Sequence, residues 1–365
     1  MDFKVIHLVR KVGPTSMPWN DLFKNHKEEY PAQSGRVFEI SSSLRQWRTL
    51  DVSTGNFFYK LNFLFALWSL CHYAYRVRKD GSQCILHIHN MSLIPYGVLM
   101  KITGIPVVLN IHNSLANFSA LQRLNLSVAI RLFNKFIGVS QSVAEELQTK
   151  FRHGGDRIIS IQQGVDLSSL PSLNTESFDI DVDIDVVVVA RLVEQKNVLR
   201  TLEILSRAKS VSSVFWFGDG QLRDEALRAR AHLGLDQCVH FCGIKPREEV
   251  LTAMSRSRVY LSLSLWEGIG VANMEALCSP IEVALSNIPP HIELSDSGNL
   301  VLLDLSRSSD DIAAELDLML EQYGKNGSSR LARARRMRSK HDVRKMVKNY
   351  HRVYKSVFSE WCADQ

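Results

Sequence analysis

Hydrophobic residues in the first half of the chain fall into short runs rich in β-branched side chains. These runs predict five strands, at Lys4–Val9, Gln83–His89, Pro106–Ile111, Phe136–Val139 and Arg157–Ile161. Stretches with helical periodicity lie between them, including Leu121–Asn134 and Ser142–Thr149. Strands that are apolar throughout and separated by helices are typical of a parallel sheet covered on both faces. The pattern therefore predicts a doubly wound α/β domain over residues 1–170.

A second series of the same kind follows a polar, acidic stretch at residues 171–183, which predicts a linker. Its strands are expected at Ile184–Ala190, Val214–Phe217, Val239–Phe241, Val259–Leu263, Glu282–Leu285 and Leu300–Leu303. Its helices are expected at Val198–Ala208, Leu222–Leu233, Arg247–Ser255 and Asn273–Leu277, and a basic helical stretch over about 330–361 ends the chain. The pattern predicts two Rossmann-like domains, 1–170 and 184–340, facing each other across a cleft, with a C-terminal helix at 341–365.

Composition and cysteine spacing narrow the class of protein. The 365 residues are 45% hydrophobic and 22% charged, which excludes a disordered chain, a collagen-like repeat and a disulfide scaffold. None of the 6 cysteines forms a CxxC pair, so we expect reduced thiols in a cytosolic protein. Met1–Gly13 holds too short an apolar stretch for a signal peptide. The longest apolar stretch, Leu61–Tyr75, is shorter than the roughly 18 residues of a membrane span and predicts a buried helix, with a membrane-dipping helix as the alternative.

Charge is distributed unevenly along the chain. The formal net charge is +9 over residues 1–165, −12 over 166–324 and +9 over 325–365, against +6 for the whole. Basic surfaces attract phosphates, nucleic acid or anionic lipid headgroups. We expect no nucleic-acid partner, because no nucleic-acid module is recognisable. The stretch Leu115–Lys135 interleaves apolar and basic residues, which is typical of a helix lying on an anionic membrane surface. Core packing is the alternative.

Two cations follow the first strand of the second series. In open parallel sheets, ligands bind beyond the carboxyl ends of the strands, so this loop is a place to expect function. Arg191 has a planar guanidinium with several N–H donors, and Lys196 has a compact positive charge. The helix that follows adds backbone N–H donors. The combination suits a diphosphate. A solvated loop is the alternative.

Two carboxylates and two glycines lie together in the stretch SLSLWEGIGVANMEA. Glu267 precedes Gly268 and Gly270, and Glu275 follows on the next predicted helix. The glycines allow a turn whose amides point at an anion. Carboxylates accept hydrogen bonds from several hydroxyls, as a sugar or a ribose requires. The alternative is an ion pair with a nearby arginine, Arg256 or Arg258.

Histidines and a glycine pair lie at other strand ends. No carboxylate or cysteine accompanies His87, His89 and His112, so we expect no metal site. We expect His87 in the core, His89 in a structural role and His112 in a functional site. Gly218 and Gly220 indicate either a tight turn or a close approach of the backbone to a ligand.

Taken in order, these segments resemble the GT-B glycosyltransferases of the large retaining family 4. The resemblance is clear over about residues 83–300 and includes the family's spaced glutamates, the E-x7-E motif. The matching segments are His87-Ile88-His89, His112, Gly138-Val139-Ser140, Gln163-Gly164-Val165-Asp166, Arg191-Leu192 with Lys196, Gly218 with Gly220, Val239-His240-Phe241-Cys242-Gly243, and Glu267 with Glu275.

The resemblance implies a role for each matching residue. Arg191 and Lys196 would hold the donor diphosphate and stabilise the leaving nucleotide. Glu267 would bind hydroxyls of the donor sugar, Glu275 would bind the ribose, and His112 would lie near the transferred sugar. The implied donor-binding backbone comprises Gly218, Gly268, Ile269 and Gly270, and Gly13 in the first loop.

The resemblance also implies a reaction. The chain would move a sugar with retention from a nucleotide-sugar, with UDP favoured, to a glycan acceptor, which we expect to be lipid-linked. We expect no metal and no other cofactor. The enzyme would build a bacterial surface polysaccharide at the inner, cytoplasmic face of the plasma membrane, with its C-terminal helix returning to the first domain. The alternatives are a sugar-nucleotide epimerase of the same fold and a non-catalytic nucleotide- or sugar-binding partner.

Four departures from the family pattern stand out. Pro280 replaces a glycine, and Glu282 replaces a proline. Gln163 replaces an asparagine, and Pro289-Pro290 replaces a glycine-rich loop. Because proline fixes φ and removes a donor, the turn at Pro280 must differ from that of the family.

Overall fold

The chain divides into two units, each built around one sheet. The structure, a computed structural model, describes residues 3–9, 35–41, 47–52, 71–72, 75, 79, 83–173, 182–295 and 300–363. The first unit comprises Met1–Gln162 together with Arg344–Gln365, and the second comprises Gln163–Val343. Each unit contains its own sheet and its own buried core.

The first sheet contains seven strands in the order β3-β2-β1-β4-β5-β6-β7. They are β1 Phe3–Val9, β2 Gly35–Ser41, β3 Trp47–Val52, β4 Gln83–Ile88, β5 Val107–Ile111, β6 Lys135–Gly138 and β7 Ile158–Ser160. β2 runs antiparallel to β1 and β3, and the remaining pairs are parallel. All five strands predicted for this half are confirmed. The β2–β3 pair is not predicted, because its residues alternate between polar and apolar and do not form an apolar run.

The second sheet contains six strands, all parallel, in the order β10-β9-β8-β11-β12-β13. They are β8 Ile184–Val189, β9 Val214–Phe217, β10 Val239–Gly243, β11 Ser257–Ser262, β12 Glu282–Ser286 and β13 Val301–Leu303. All six are predicted by the sequence. The order is that of a Rossmann fold and reverses between β8 and β11, where ligands of such sheets bind beyond the carboxyl ends.

Helices cover both sheets. They are α1 Ile94–Ile102, α2 Ala120–Leu132, α3 Gln141–Lys150, α4 Val198–Arg207, α5 Arg223–His232, α6 Arg247–Ser255, α7 Val271–Leu277, α8 Pro289–Ser295, α9 Ser309–Gln322, α10 Gly327–Lys340 and α11 Val343–Ala363. Local signals start several of them: Ser119 and Gln122 form a capping box before α2, and the Ser140 hydroxyl accepts from the amide of Val143 in α3. The sequence prediction lacks α1, α8 and α9.

The basic helical stretch predicted over about 330–361 consists of two helices, because the chain breaks between α10 and α11. The backbone at this break pairs with a distant residue: Val165 N donates to the His341 carbonyl at 2.7 Å, and Val343 N donates to the Val165 carbonyl at 3.0 Å. These two backbone hydrogen bonds are of the kind that joins neighbouring strands. They use N–H and C=O groups that would bond within the helix if it were continuous. They also attach the end of the second unit to its beginning.

The helix α11 packs on the first sheet through buried polar contacts. The Tyr354 hydroxyl lies 2.6 Å from Nδ1 of His87, and Nε2 of His87 lies 3.0 Å from Oδ1 of Asn110. Asn110 Nδ2 donates to the Tyr350 hydroxyl at 2.8 Å. His87 is fully buried, which confirms that it belongs to the core. Burial raises the pKa of Tyr350 and Tyr354, so both hydroxyls stay protonated in this network.

Within the described part of the chain, no helix is both long and apolar enough to cross a bilayer. The helix predicted at Leu61–Tyr75 lies largely outside the described residues, which include only Cys71, His72 and Tyr75 of it.

Candidate functional site

The loops that follow β8 and β11 lie side by side at the switch point of the second sheet. Two hydrogen bonds join them. Leu265 N donates to the Gln195 carbonyl at 2.9 Å, and Gln195 Nε2 donates to the Trp266 carbonyl at 2.8 Å. These bonds fix the loop that carries Arg191 and Lys196 against the loop that carries Glu267. A glutamine in a loop gives no sequence signal for this role.

Lys196 and Glu267 form an ion pair between the two loops. Their side chains are 15% and 7% exposed, and Ser264 Oγ donates to the same carboxylate oxygen at 3.0 Å. Asn197, with φ of 53°, ends the short turn Glu194–Lys196 in the left-handed region and redirects the chain into α4. The arrangement places a cation, which attracts phosphate oxygens, beside a carboxylate, which accepts hydroxyl hydrogen bonds.

Arg191 adds a second cation at the same edge. The residue is exposed, and its Nη2 lies 3.3 Å from Oε1 of Gln195. Gln195 therefore contacts both loops and orients the guanidinium. Both cations predicted to follow β8 therefore lie in this loop, Lys196 paired with Glu267 and Arg191 in contact with Gln195.

The glycine loop, Gly268–Gly270, joins this edge to α7. Gly270 has φ of +79°, and a Cβ there would overlap the side-chain amide of Asn273. Asn273 Nδ2 donates to the Ile269 carbonyl at 3.1 Å. The close approach of Asn273 and the positive φ both require glycine at this position.

Glu275 lies on α7 and is bound by an arginine that the sequence analysis missed. Arg247 Nε donates to Glu275 Oε1 at 2.7 Å. The alternative of an ion pair with Arg256 or Arg258 is wrong, since those residues pair with Asp183 and Asp185. Glu275 is 3% exposed, so its carboxylate sits inside the unit beside a charge partner.

Gly218 is explained by packing between neighbouring loops. Its φ is +132°, and a Cβ there would overlap the carbonyl of Ala190, while Leu192 N donates to the Asp219 carbonyl at 3.2 Å. The bare backbone lets the loop after β9 lie directly on the loop after β8. This contact supports the loop of Arg191 from its other side.

Pro280 and Glu282 lie at the opposite edge of the sheet, where β12 begins. Arg330 pairs with Glu282 at 3.5 Å, and burial lowers the pKa of the fully buried Arg333 to about 10, opposed by Glu282. Four successive carbonyls accept from arginines of α10: Arg338 binds that of Cys278, Arg333 those of Ser279 and Ile281, and Arg330 that of Pro280. The departures at Pro280 and Glu282 thus lie at the amino edge of the sheet, away from Lys196 and Glu267.

In the first unit, His112 follows β5 and is partly buried. Its Nε2 atom is enclosed, and burial lowers the pKa of His112 to about 4, so the imidazole is neutral at neutral pH. Its ring centroid lies 6.1 Å from that of His89, which is buried as expected for a structural residue. Gly13 lies outside the described residues.

The helix α2 presents an apolar stripe to solvent. Leu121, Leu124, Val128 and Leu132 are 66%, 61%, 39% and 40% exposed, and their spacing places them on one helical face. Other apolar residues of the same stretch are buried in the core: Leu115, Phe118, Ile130 and Phe133. Core packing thus accounts for one face, and the other face is exposed among the residues that the structure describes.

Among the residues that the structure describes, no group of three or more His, Cys, Asp or Glu side chains is arranged to hold a metal ion.

Two family models match consecutive parts of the chain. Residues 35–169 match Glycosyltransferase Family 4, and residues 169–339 match Glycosyl transferases group 1.

The curated relatives are similar over shorter segments. The chain is 32% identical over 147 residues to the amylovoran biosynthesis glycosyltransferase AmsK of Erwinia amylovora, covering 34% of this chain and 36% of the relative. It is 27% identical over 128 residues to the GDP-mannose:cellobiosyl-diphosphopolyprenol alpha-mannosyltransferase of Xanthomonas oryzae pv. oryzae, covering 34% of each. The matches thus span about a third of the relatives' length.

Solved structures share the fold. Anabaena Alr3699/HepE in complex with UDP has a TM-score of 0.67 at 17% identity, covering 83% of this chain and 85% of that chain. A variant of S. aureus TarM in complex with Fondaparinux, alpha-GlcNAc-glycerol and UDP has a TM-score of 0.64 at 15% identity, covering 88% and 62%. The two Rossmann-like units and these neighbours define a protein with the GT-B fold. Between them the two family models cover residues 35–339, so both units of the chain are similar to glycosyltransferases of the family 4 type.

Proposed function

We propose that the chain transfers a sugar, with retention of anomeric configuration, from a nucleotide-sugar to a glycan acceptor during assembly of a bacterial surface polysaccharide. The observation that carries the proposal is the Lys196–Glu267 pair, held beside the glycine loop at the switch point of the second sheet. The reaction needs a cation where diphosphate charge grows and an acceptor for sugar hydroxyls, and this pair supplies both. The names of the two curated relatives, one for amylovoran biosynthesis and one for a diphosphopolyprenol-linked acceptor, support the same class of product.

In this proposal, Arg191 and Lys196 act on the donor diphosphate. As the glycosidic bond breaks, the sugar carbon becomes oxocarbenium-like, and negative charge accumulates on the leaving nucleotide. Fixed cations at that position stabilise the transition state without a metal ion. UDP is the favoured nucleotide, supported by the UDP bound to the HepE and TarM neighbours, and GDP is the alternative that the mannosyltransferase relative suggests.

The two glutamates bind the donor rather than attack it. Glu267 already accepts from Lys196 and Ser264, which orients its carboxylate for sugar hydroxyls. Retaining glycosidases instead use two carboxylates about 5–5.5 Å apart, one of them a nucleophile. We propose a front-face transfer with no protein nucleophile. Glu275 binds the ribose, and the backbone of Gly218, Gly268, Ile269 and Gly270 surrounds the donor.

His112 and Gly13 belong to the unit that we expect to receive the acceptor. Because burial lowers the pKa of His112 to about 4, its imidazole is neutral at neutral pH. It therefore acts near the transferred sugar as a hydrogen-bonding group and not as a cation.

The acceptor is proposed to be lipid-linked and reached at a membrane surface. The stripe Leu121, Leu124, Val128 and Leu132 is exposed, and α2 carries Arg123 and Arg131 but no acidic residue. A helix with one apolar face and basic neighbours inserts that face into an anionic bilayer interface. We propose that α2 holds the enzyme on the cytoplasmic face of the plasma membrane.

The test begins with nucleotide binding by the purified full chain. Thermal unfolding is measured with UDP, GDP, CMP, dTDP and NAD, because a ligand at ~100 times its Kd stabilises the native state by about 2.7 kcal/mol. We expect one nucleoside diphosphate to raise the Tm. The matching nucleotide-sugar is then incubated with vesicles bearing a diphosphate-linked glycan lipid, and the new linkage is identified by NMR.

Each outcome decides between functions. Transfer with the donor's anomeric configuration supports the proposal. Conversion of the donor to a different sugar without an acceptor would show the epimerase alternative. Binding of a nucleotide without sugar transfer to any acceptor supplied, and without change to the donor, would show a non-catalytic binding protein.

A further inference from the structure

A buried hydrogen-bond network lies directly behind the glycine loop. The Tyr260 hydroxyl donates to Asn273 Oδ1 at 2.8 Å, and Asn273 Nδ2 lies 2.9 Å from Nε2 of His291 and donates to the Ile269 carbonyl at 3.1 Å. Tyr260, Asn273 and His291 are 0%, 2% and 0% exposed. Three secondary structure elements, β11, α7 and α8, thus converge on one loop carbonyl.

The hydrogen bonds fix both the amide orientation and the tautomer. A carbonyl only accepts, so the Asn273 atom facing Ile269 is the nitrogen. The second hydrogen of that nitrogen points at His291, so Nε2 of the ring accepts and Nδ1 carries the proton. Nδ1 in turn donates to the Ser286 carbonyl at 2.8 Å. An imidazolium would place an N–H against the Asn273 N–H, and burial lowers the pKa of His291 to about 4, so the ring is neutral.

The network determines where one loop amide points. The described peptide bonds are trans, so the Ile269 carbonyl and the Gly270 N–H of the same peptide point in opposite directions. Holding the carbonyl inward on Asn273 turns the Gly270 N–H away from the interior. Rotation of the Ile269–Gly270 peptide would point the Gly270 N–H in another direction. It would also break the hydrogen bond from Asn273 Nδ2 to the Ile269 carbonyl.

We propose that Asn273 and His291 are positioning residues that set the Gly270 N–H for the donor diphosphate. The inference rests on the proposed function, which places the diphosphate at this loop. His291 acts through Asn273, whose amide it holds, and Asn273 acts through the Ile269–Gly270 peptide. Neither side chain needs to touch the donor.

The test compares two substitutions of His291 with similar volume. His291→Gln retains an acceptor near the position of Nε2, and His291→Met removes it. Kd values for UDP and for uridine are measured by calorimetry with the full chain, or for GDP and guanosine if GDP is the nucleotide bound. Because one hydrogen bond to a charged group corresponds to roughly a tenfold change in affinity, we expect His291→Met to weaken UDP binding by about that factor. Uridine binding should stay unchanged, and His291→Gln should restore UDP binding.

Two further variants separate positioning from a general loss of structure. Tyr260→Phe removes the hydroxyl that holds Asn273 Oδ1, and it serves if His291→Met does not fold. Ser257→Ala removes another side-chain hydrogen bond, to the Ala253 carbonyl at the other end of β11, and should leave both affinities unchanged. An equal loss of UDP and uridine affinity in His291→Met and Tyr260→Phe would overturn the inference, as would no loss. A wild-type chain that binds no nucleoside diphosphate would instead contradict the proposed function.

Discussion

Arg247 holds Glu275 from the first residue of the neighbouring helix. Its Nε donates to Glu275 Oε1 at 2.7 Å, and its Nη1 lies 4.0 Å from Oδ2 of Asp166. The Arg247 and Glu275 side chains are 9% and 4% exposed. Asp166 is itself fixed, because Ser168 donates to it from both its backbone and its hydroxyl. The carboxylate proposed to bind the ribose is therefore held by a guanidinium that is anchored at its other end.

The first prediction concerns the stability supplied by this pair. Arg247→Met removes the guanidinium and leaves a buried carboxylate, which should lower the free energy of unfolding by about 3 kcal/mol. Arg247→Met combined with Glu275→Gln removes both charges and should recover most of that loss. Urea unfolding of the two variants measures the difference. Equal destabilisation in both would contradict the ion pair.

The second prediction concerns the cation beside Glu267. Lys196→Ala should lower kcat by about 10²–10³ and change the Kd of the nucleotide much less, because charge on the diphosphate grows in the transition state. Glu275→Ala should have the reverse effect and weaken nucleotide binding. Steady-state kinetics and calorimetry measure the two quantities.

A matched control for Lys196 is available on the same unit. Lys245 is 43% exposed and pairs with Glu249 at 3.4 Å, so Lys245→Ala removes a lysine of the same charge from a surface pair. Its kcat should equal that of the wild type. The site assignment fails if Lys196→Ala and Lys245→Ala have the same activity.

The fold could be predicted from the sequence because its strands are apolar runs. A strand such as β8 is buried in a parallel sheet, so all its positions except Asp185 are hydrophobic and the run is easily recognised. The backbone pairing at the break between α10 and α11 could not be predicted, since it depends on Val165, which is distant along the chain. No local propensity marks a backbone that leaves a helix to pair with another segment.

The site was predictable where topology alone positions a residue. Lys196 and Glu267 follow neighbouring strands, so the sheet order brings them together. Arg247 and His291 were missed, because their roles depend on how α6 and α8 pack against α7. Asn273 does carry a signal in the sequence, because it is a polar residue in a short, largely apolar helix next to the glycines.

The third prediction concerns the apolar stripe of α2. Leu121→Gln with Leu124→Gln should reduce binding to phosphatidylglycerol-containing vesicles by tenfold or more, because burying two leucine side chains contributes about 3 kcal/mol. Flotation or sedimentation with vesicles measures bound protein. Binding should also weaken with added salt, since Arg123 and Arg131 attract anionic headgroups.

An exposed leucine on the other unit provides the control for that experiment. Leu318 on α9 is 49% exposed, and Leu318→Gln should leave vesicle binding unchanged. If the α2 variant binds vesicles as well as the wild type does, this face is not the membrane surface of the protein.

The fourth prediction follows from the pKa of His291. Burial lowers this pKa to about 4, against 6.5 for the ordinary side chain; the hydrogen bond to the Ser286 carbonyl and the charge of Glu267 oppose the shift, and Lys196 adds to it. The unfolded chain therefore binds a proton on this histidine below about pH 6.5, whereas the native chain binds it only below about pH 4. The stability contributed by the neutral ring is complete above about pH 6.5 and falls as the pH is lowered towards 4.

His291→Gln removes this contribution and leaves the other histidines in place. The wild type's advantage over His291→Gln in free energy of unfolding should shrink by about 2 kcal/mol from about pH 7 to about pH 5. Urea unfolding at both pH values measures it, with His232→Gln, which removes an exposed histidine of α5, as the control. A constant difference would mean that the buried ring accepts its proton as readily as the unfolded chain does, and that the tautomer assigned to the network is not held.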